Sequence, residues 1–162
     1  MRGTLGFTAV ELLVTIAILA VLSTLAAPSM TSLIESWRVR QAAEDLQSSL
    51  YLARSEAIKH GGDVTLTADS NWSSGWKITT TVNGSSEVRQ NTPAPTRTTI
   101  TLDTGKTVVD ADRWGILESD KKNEFVFTLY PSTADASSTA TRLLCISAGG
   151  RILNVRKSLG CS

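Results

Sequence analysis

One carboxylate in an otherwise apolar run limits what this chain can become. From Phe7 to Ala27 the sequence reads FTAVELLVTIAILAVLSTLAA, with Glu11 its one charged residue. As a helix rising 1.5 Å per residue this stretch would measure about 32 Å, close to the roughly 30 Å hydrocarbon core of a bilayer. A secretory signal has a shorter apolar core, about 7–15 residues, although Ala26 and Ala27 supply small residues of the kind such a cut site uses. A lone carboxylate at membrane depth costs roughly 2.5–3.5 kcal/mol, so its presence implies a partner and a function. The natural partner is a positive group such as a free amino terminus. Cutting after Gly6 would create one on Phe7, four residues before Glu11. Arg2 would hold the leader on the cytoplasmic side. A plain anchor or a secretory signal leaves both Glu11 and the Gly6–Phe7 junction unexplained.

The segment G-F-T-A-V-E-L-L from Gly6 to Leu13 resembles the class III signal of type IV pilins and type II secretion pseudopilins. The family pattern is G-F-T-L-I-E-L-L or a near variant, and Ala9 stands where leucine is usual. The resemblance implies that a prepilin peptidase cuts between Gly6 and Phe7 and N-methylates Phe7. It implies that Glu11 then neutralises the terminal amine of an adjacent subunit during assembly. It also implies an inner-membrane precursor with a periplasmic C-terminal head, which moves into a pilus or pseudopilus beside other major and minor pilins. Such a chain is the substrate of an enzyme and not itself one.

Between Gly6 and Gly61 there is no glycine and a single proline, Pro28. An unbroken helix over 7–60 would be about 80 Å long. Pro28 removes a backbone donor and pushes Ala27 from helical geometry, which predicts a kink or local melting there. Past it, Val39, Ala42, Ala43, Leu46, Leu50, Ala53 and Ala57 recur at three- and four-residue spacing, the stripe of a helix laid on a sheet. Arg38, Arg40, Glu44, Asp45, Arg54 and Glu56 occupy the other faces, and Gly61-Gly62 is a stop signal. L-A-R-S-E-A-I-K-H-G from Leu52 to Gly61 is similar to the end of the long helix in the GspH/FimT group of minor pilins and minor pseudopilins. That group continues with a strand and a G-W pair, matched by Gly75-Trp76. The resemblance implies that Arg54 and Glu56 tie helix to head and are not catalytic.

Residues 61–162 read as a β-rich head. Strands are predicted over Val64–Thr67, Trp76–Val82, Thr98–Leu102, Phe125–Leu129, Leu143–Ser147 and Ile152–Val155. Asn83-Gly84 marks a hairpin, Gly149-Gly150 a second one, and Pro93, Pro95 and the Ser/Thr/Ala run from Ser132 to Thr141 mark loops or edges. Trp72, Trp76 and Trp114 read as core or rim residues in preference to a ligand cage. The chain lacks a nucleophile elbow, a phosphate-binding glycine loop and a histidine cluster, and its one histidine, His60, falls at a helix end. No cofactor and no metal site is expected. Cys145 and Cys161 lack the spacing of a zinc or redox motif. They form either a disulfide, which needs an oxidising compartment such as a periplasm, or two buried thiols; the disulfide is the reading adopted.

Sixteen Lys+Arg against fifteen Asp+Glu give no global argument for nucleic acid. The local distribution differs. Arg142, Arg151, Arg156 and Lys157 are the only charged side chains after Thr141, whereas residues 63–141 hold seven basic and ten acidic ones. A basic hairpin on an acidic head could attract DNA phosphates. FimT-type minor pilins in the resembled group are associated with DNA uptake and carry a basic C-terminal G-R-x-R. Gly150-Arg151-Ile152-Leu153 departs from that motif, with further basic residues displaced to Arg156 and Lys157. A charged surface or a subunit contact is the alternative. The expected fold is α+β and type IV pilin-like. It comprises a leader over 1–6, a helix over 7–60 (membrane-spanning over 7–27, amphipathic over 28–60) and an antiparallel β head over 61–162. The expected function is that of a minor pilin, a structural or priming subunit. Its alternatives are a DNA-uptake pilin and a type II secretion minor pseudopilin.

Overall fold

The computed structural model of the chain describes residues 7–82 and 84–161, without the side chains of 25–29. The leader with Gly6 and the hairpin residue Asn83 therefore lie outside the described residues. Helix α1 runs from Ala9 to His60. Thr8 caps it: its hydroxyl accepts from Glu11 N at 3.2 Å, and its carbonyl accepts from Leu12 N. Thr8 and Glu11 hold the Ncap and N3 positions of a T-x-x-E capping box, a signal the apolar run conceals. The helix ends at Gly61-Gly62, where Gly62 N bonds to Ala57 O at 2.8 Å.

The chain divides into two compact units between Ile34 and Glu35, inside α1. In the first unit the large side chains are open to solvent, with Phe7 81% and Val10 and Leu13 70% exposed. No helix among the described residues is long and apolar enough to cross a membrane. Thr15, Ser23 and Thr24 interrupt the apolar run among the described side chains. The three hydroxyls bond back to the carbonyls of Leu12, Leu19 and Val21 at 2.7–2.8 Å, which satisfies them within the helix. The backbone stays helical across position 28, so of the kink or local melting expected at Pro28 only a kink is compatible with the helix. A proline deletes one ladder bond and can bend a helix without ending it.

In the second unit, nine strands among the described residues form two antiparallel sheets. The strands are β1 (Val64–Ala68), β2 (Gly75–Val82), β3 (Ser85–Pro93), β4 (Thr98–Leu102), β5 (Val108–Ala111), β6 (Leu117–Glu118), β7 (Phe125–Pro131), β8 (Arg142–Ile146) and β9 (Ile152–Arg156). One sheet has the order β3-β2-β1-β5-β6 and the other β4-β7-β8-β9. The alternation in β1 and β7 puts Val64, Leu66, Ala68, Phe125, Phe127 and Leu129 inside. All seven stripe residues of α1 are buried, Val39, Ala43, Leu46, Leu50 and Ala57 completely. The alanines in that stripe let the helix backbone approach the sheets closely.

A 3-10 turn over Trp72–Ser74 joins the two sheets. Ser73 Oγ accepts from Ile100 N on β4 at 2.9 Å, and the Trp72 ring meets Phe127 edge-on with centroids 4.8 Å apart. Gly75 must be glycine: its φ is +104°, and an added Cβ would lie 2.6 Å from Thr92 O. Pro93, expected in a loop or at an edge, ends β3, an edge strand where a missing donor is tolerated. Cys145 and Cys161 form a disulfide with a Cα–Cα distance of 5.7 Å. In the chain-entropy account, closing a loop of this length contributes about 3 kcal/mol.

Candidate functional site

Three groups of residues invite a functional reading. The first is the start of α1. Phe7 precedes the helix in an exposed position, and Glu11 is exposed one turn in. Glu11 makes no ion pair among the described residues, where the positive end it meets is the helix N-terminus. Gly6, the other half of the cleavage signal, lies outside the described residues.

The second group is the end of α1. Arg54 Nε donates to Gly115 O at 2.7 Å, and Arg54 Nη1 donates to Gly150 O. Gly115 lies in the β5–β6 loop of one sheet and Gly150 in the β8–β9 turn of the other. One guanidinium thus pins both sheets to the helix. An added Cβ at Gly150 would sit 2.9 Å from Arg54 Nη2 and push the guanidinium off its seat, at a φ of +75° that already favours glycine. Two residues on, Glu56 faces Arg89 Nε of β3 at 3.2 Å, His60 Nε2 at 3.4 Å and Lys59 Nζ at 3.8 Å. His60 therefore sits between Glu56 and Arg89, and among the described residues no serine hydrogen-bonds it. Among the described residues no group of acidic, histidine or cysteine side chains could hold a metal ion.

The third group is the basic tail. Arg142 of β8 and Arg156 of β9 are direct cross-strand partners, and like charges so placed repel. Burial holds the Arg142 guanidinium below its usual range, and the charges of Arg40 and Arg156 push the same way. Arg142 Nη1 donates to Asn154 Oδ1 at 3.2 Å, and Lys157 Nζ donates to Ala136 O at 2.9 Å. The structure thus gathers Arg142, Arg156 and Lys157 and adds Arg40 of α1, itself paired with Glu44 at 2.9 Å. Arg151 stands apart. It begins the opposite end of β9, about 17 Å along the strand from Arg156, beside a cavity of about 330 Å³ lined by Asp103, Glu124 and the disulfide. Arg40 gives no sequence signal, because its nearness to Arg142 depends on how α1 packs.

The tryptophans do not form a cage. Trp72 and Trp76 are buried, and their indole N–H groups donate to Lys106 O at 2.8 Å and Ser49 Oγ at 2.9 Å. Ser49, unremarkable in the sequence, is fully buried and also accepts from Gln90 Nε2. Trp114 and Trp37, by contrast, are 76% and 66% exposed.

A capped apolar helix whose later half lies on an antiparallel β head, with a C-terminal disulfide, defines the chain as a protein of type IV pilin-like fold. The sequence profile of the type II transport protein GspH family matches residues 42–157, and the chain belongs to that family. Two crystal forms of the type IV minor pilin FimU of Pseudomonas aeruginosa (strain PAO1) share the fold. The first, in space group P21, has a TM-score of 0.62 and 24% identity, covering 74% of this chain and 90% of that one. The second, in space group P65, has a TM-score of 0.58 and 25% identity, covering 74% and 94%. No curated protein matches the chain. Family and fold are those of structural pilin and pseudopilin subunits, which assemble with other pilins into filaments.

Proposed function

We propose that this chain is a minor pilin, a structural or priming subunit of a type IV pilus, made as a precursor and cut after Gly6 by a prepilin peptidase. The carrying observation is Glu11, set in an exposed apolar helix with no ion-pair partner in its own chain among the described residues. In this account Phe7 is N-methylated, and its amine pairs with Glu11 of a neighbouring subunit in the filament core. Before assembly the run over 7–27 rests in the inner membrane and the head faces the periplasm. Pro28 is the point at which α1 bends or yields on packing. The disulfide supports an oxidising compartment. The likeness to FimU, a minor pilin by name, favours a pilus. The family name, a type II transport protein, keeps a minor pseudopilin as the alternative. The test is an immunoblot of sheared surface filaments from cells with and without the secretion system. The chain is expected in the pilus fraction in both. Its presence only when the secretion system is intact would assign it to a pseudopilus.

A second reading, DNA capture during uptake, is favoured by one observation: Arg40, Arg142, Arg156 and Lys157 converge at one end of the β8–β9 hairpin. Phosphate contacts lose affinity steeply with salt. If the cluster binds DNA, a gel shift with the Glu35–Ser162 unit weakens at least tenfold between about 50 and 200 mM salt. Arg156→Ala with Lys157→Ala should then weaken it further, and Arg151→Ala should change it less. Binding that is absent, or indifferent to salt, removes this reading.

A further inference from the structure

We propose that Cys161 is the exchange sulfur of the Cys145–Cys161 disulfide, the point at which a dithiol protein of an oxidising compartment makes and breaks the bond. The mixed disulfide forms on Cys161, and Cys145 is the sulfur that departs and returns. The exchange needs the fold of the head alone, whichever filament the chain joins. Its basis is that one bond joins two unlike surroundings. Cys145 is 6% exposed and lies inside β8, which pairs with β7 opposite Val126 and with β9 opposite Leu153. Cys161 is exposed and lies outside both sheets, past the 3-10 turn over Lys157–Leu159. In thiol–disulfide exchange a thiolate attacks one of the two sulfurs, and access helps to decide which. Cys161 is the one open to solvent. The cavity of about 330 Å³ is lined by both cysteines and so leads to Cys145 as well, but Asp103 and Glu124 line it against the one cation Arg151. All three of those charged residues are exposed. Two carboxylates against one guanidinium disfavour an arriving thiolate on that side.

The step balances as follows. A thiolate of the reduced dithiol protein attacks Cys161 Sγ. A new S–S bond joins the two proteins, the Cys145–Cys161 bond breaks, and its electron pair leaves on Cys145 Sγ, which takes up a proton. Attack by the second thiolate of the dithiol protein on its own linked sulfur then releases Cys161 as a thiolate. The dithiol protein is oxidised to a disulfide and the head is reduced by the same two electrons. Closing runs the same path backwards: the Cys161 thiolate attacks the oxidised protein's disulfide, and the Cys145 thiolate then attacks Cys161 Sγ and expels the reduced protein. Each direction passes through one species, the mixed disulfide on Cys161. The paired residues of β8 and β9 run from Arg142–Arg156 to Ile146–Ile152, so Cys161 lies outside the ladder. The bond can therefore open and close while β8 and β9 keep their register, and only the segment past β9 is released.

The full chain, purified in detergent with its disulfide intact, tests this with reduced glutathione as the probe. After brief exposure and acid quenching, peptide mass spectrometry should find glutathione on Cys161 in roughly tenfold or greater excess over Cys145. In concentrated urea the excess should fall towards equality, because burial no longer separates the two sulfurs. This measurement uses the unaltered chain and so does not depend on any variant folding. A second measurement takes Cys145→Ser and Cys161→Ser chains recovered from their own cells. The first should carry a dithiol protein linked through Cys161, and the second should carry none. Glutathione on Cys145 or on neither sulfur, equal labelling in the folded chain, an excess that persists in urea, or a dithiol protein captured by Cys145 would each overturn the proposal.

Discussion

Glu11→Ala is expected to leave leader cleavage intact and to cut incorporation into filaments at least tenfold. Two roles for Glu11 compete, and their magnitudes separate them. As a first-turn acidic residue it complements the helix N-terminus, an effect of about 0.3–1 kcal/mol, or a few-fold. As the partner of a buried amine its loss strands an uncompensated charge, which costs about 3–5 kcal/mol. Thr8→Ala isolates the first role, because it deletes the cap that bonds Glu11 N and keeps the carboxylate. A lost cap costs about 1 kcal/mol. Quantitative blotting of sheared filaments should show near-normal incorporation for Thr8→Ala and a severe loss for Glu11→Ala. Equal modest losses would mean that Glu11 serves only its own helix.

Arg54→Ala should destabilise the Glu35–Ser162 unit by about 2–4 kcal/mol. It removes two hydrogen bonds from a charged donor, each worth about 1.5–3 kcal/mol where buried, and Arg54 is only half-buried. Both carbonyls, at Gly115 and Gly150, lose their partner together. Arg54→Lys keeps the charge but lacks the planar fork that reaches two acceptors, so it should recover less than half. Urea unfolding reads the difference: the midpoint should fall with the slope unchanged. A change within 0.5 kcal/mol would show that helix and sheets are held by the apolar core alone.

The amphipathic half of α1 was legible because a 3.6-residue period is written in single residues: all seven stripe positions are buried. Strands β1, β2, β4, β7, β8 and β9 were legible for the same local reason, since β-branched and aromatic residues cluster between turn signals, whereas the polar β3, marked only by its hairpin turn, was not among the strands expected. β5 and β6 were not. They span Val108–Ala111 and Leu117–Glu118, too short to carry a period, and exist because β1 offers an edge for β5 to pair with. The division into two sheets is equally nonlocal. At the site, the sequence marks Arg54 and Glu56 but not the carbonyls they reach. It treats Arg151 and Arg156 alike, whereas the hairpin sends them to opposite ends of β9. Trp72 and Trp114 are the same residue type, and only tertiary structure buries one and exposes the other.

The filament account depends on an amine that the gene does not encode and that proteolysis must make. Mass spectrometry of the chain recovered from its own cells reads that amine directly. The account predicts a polypeptide beginning at Phe7 and carrying one extra methyl group on its α-nitrogen. A chain that retains Met1, or one that begins beyond Ala27, would contradict it.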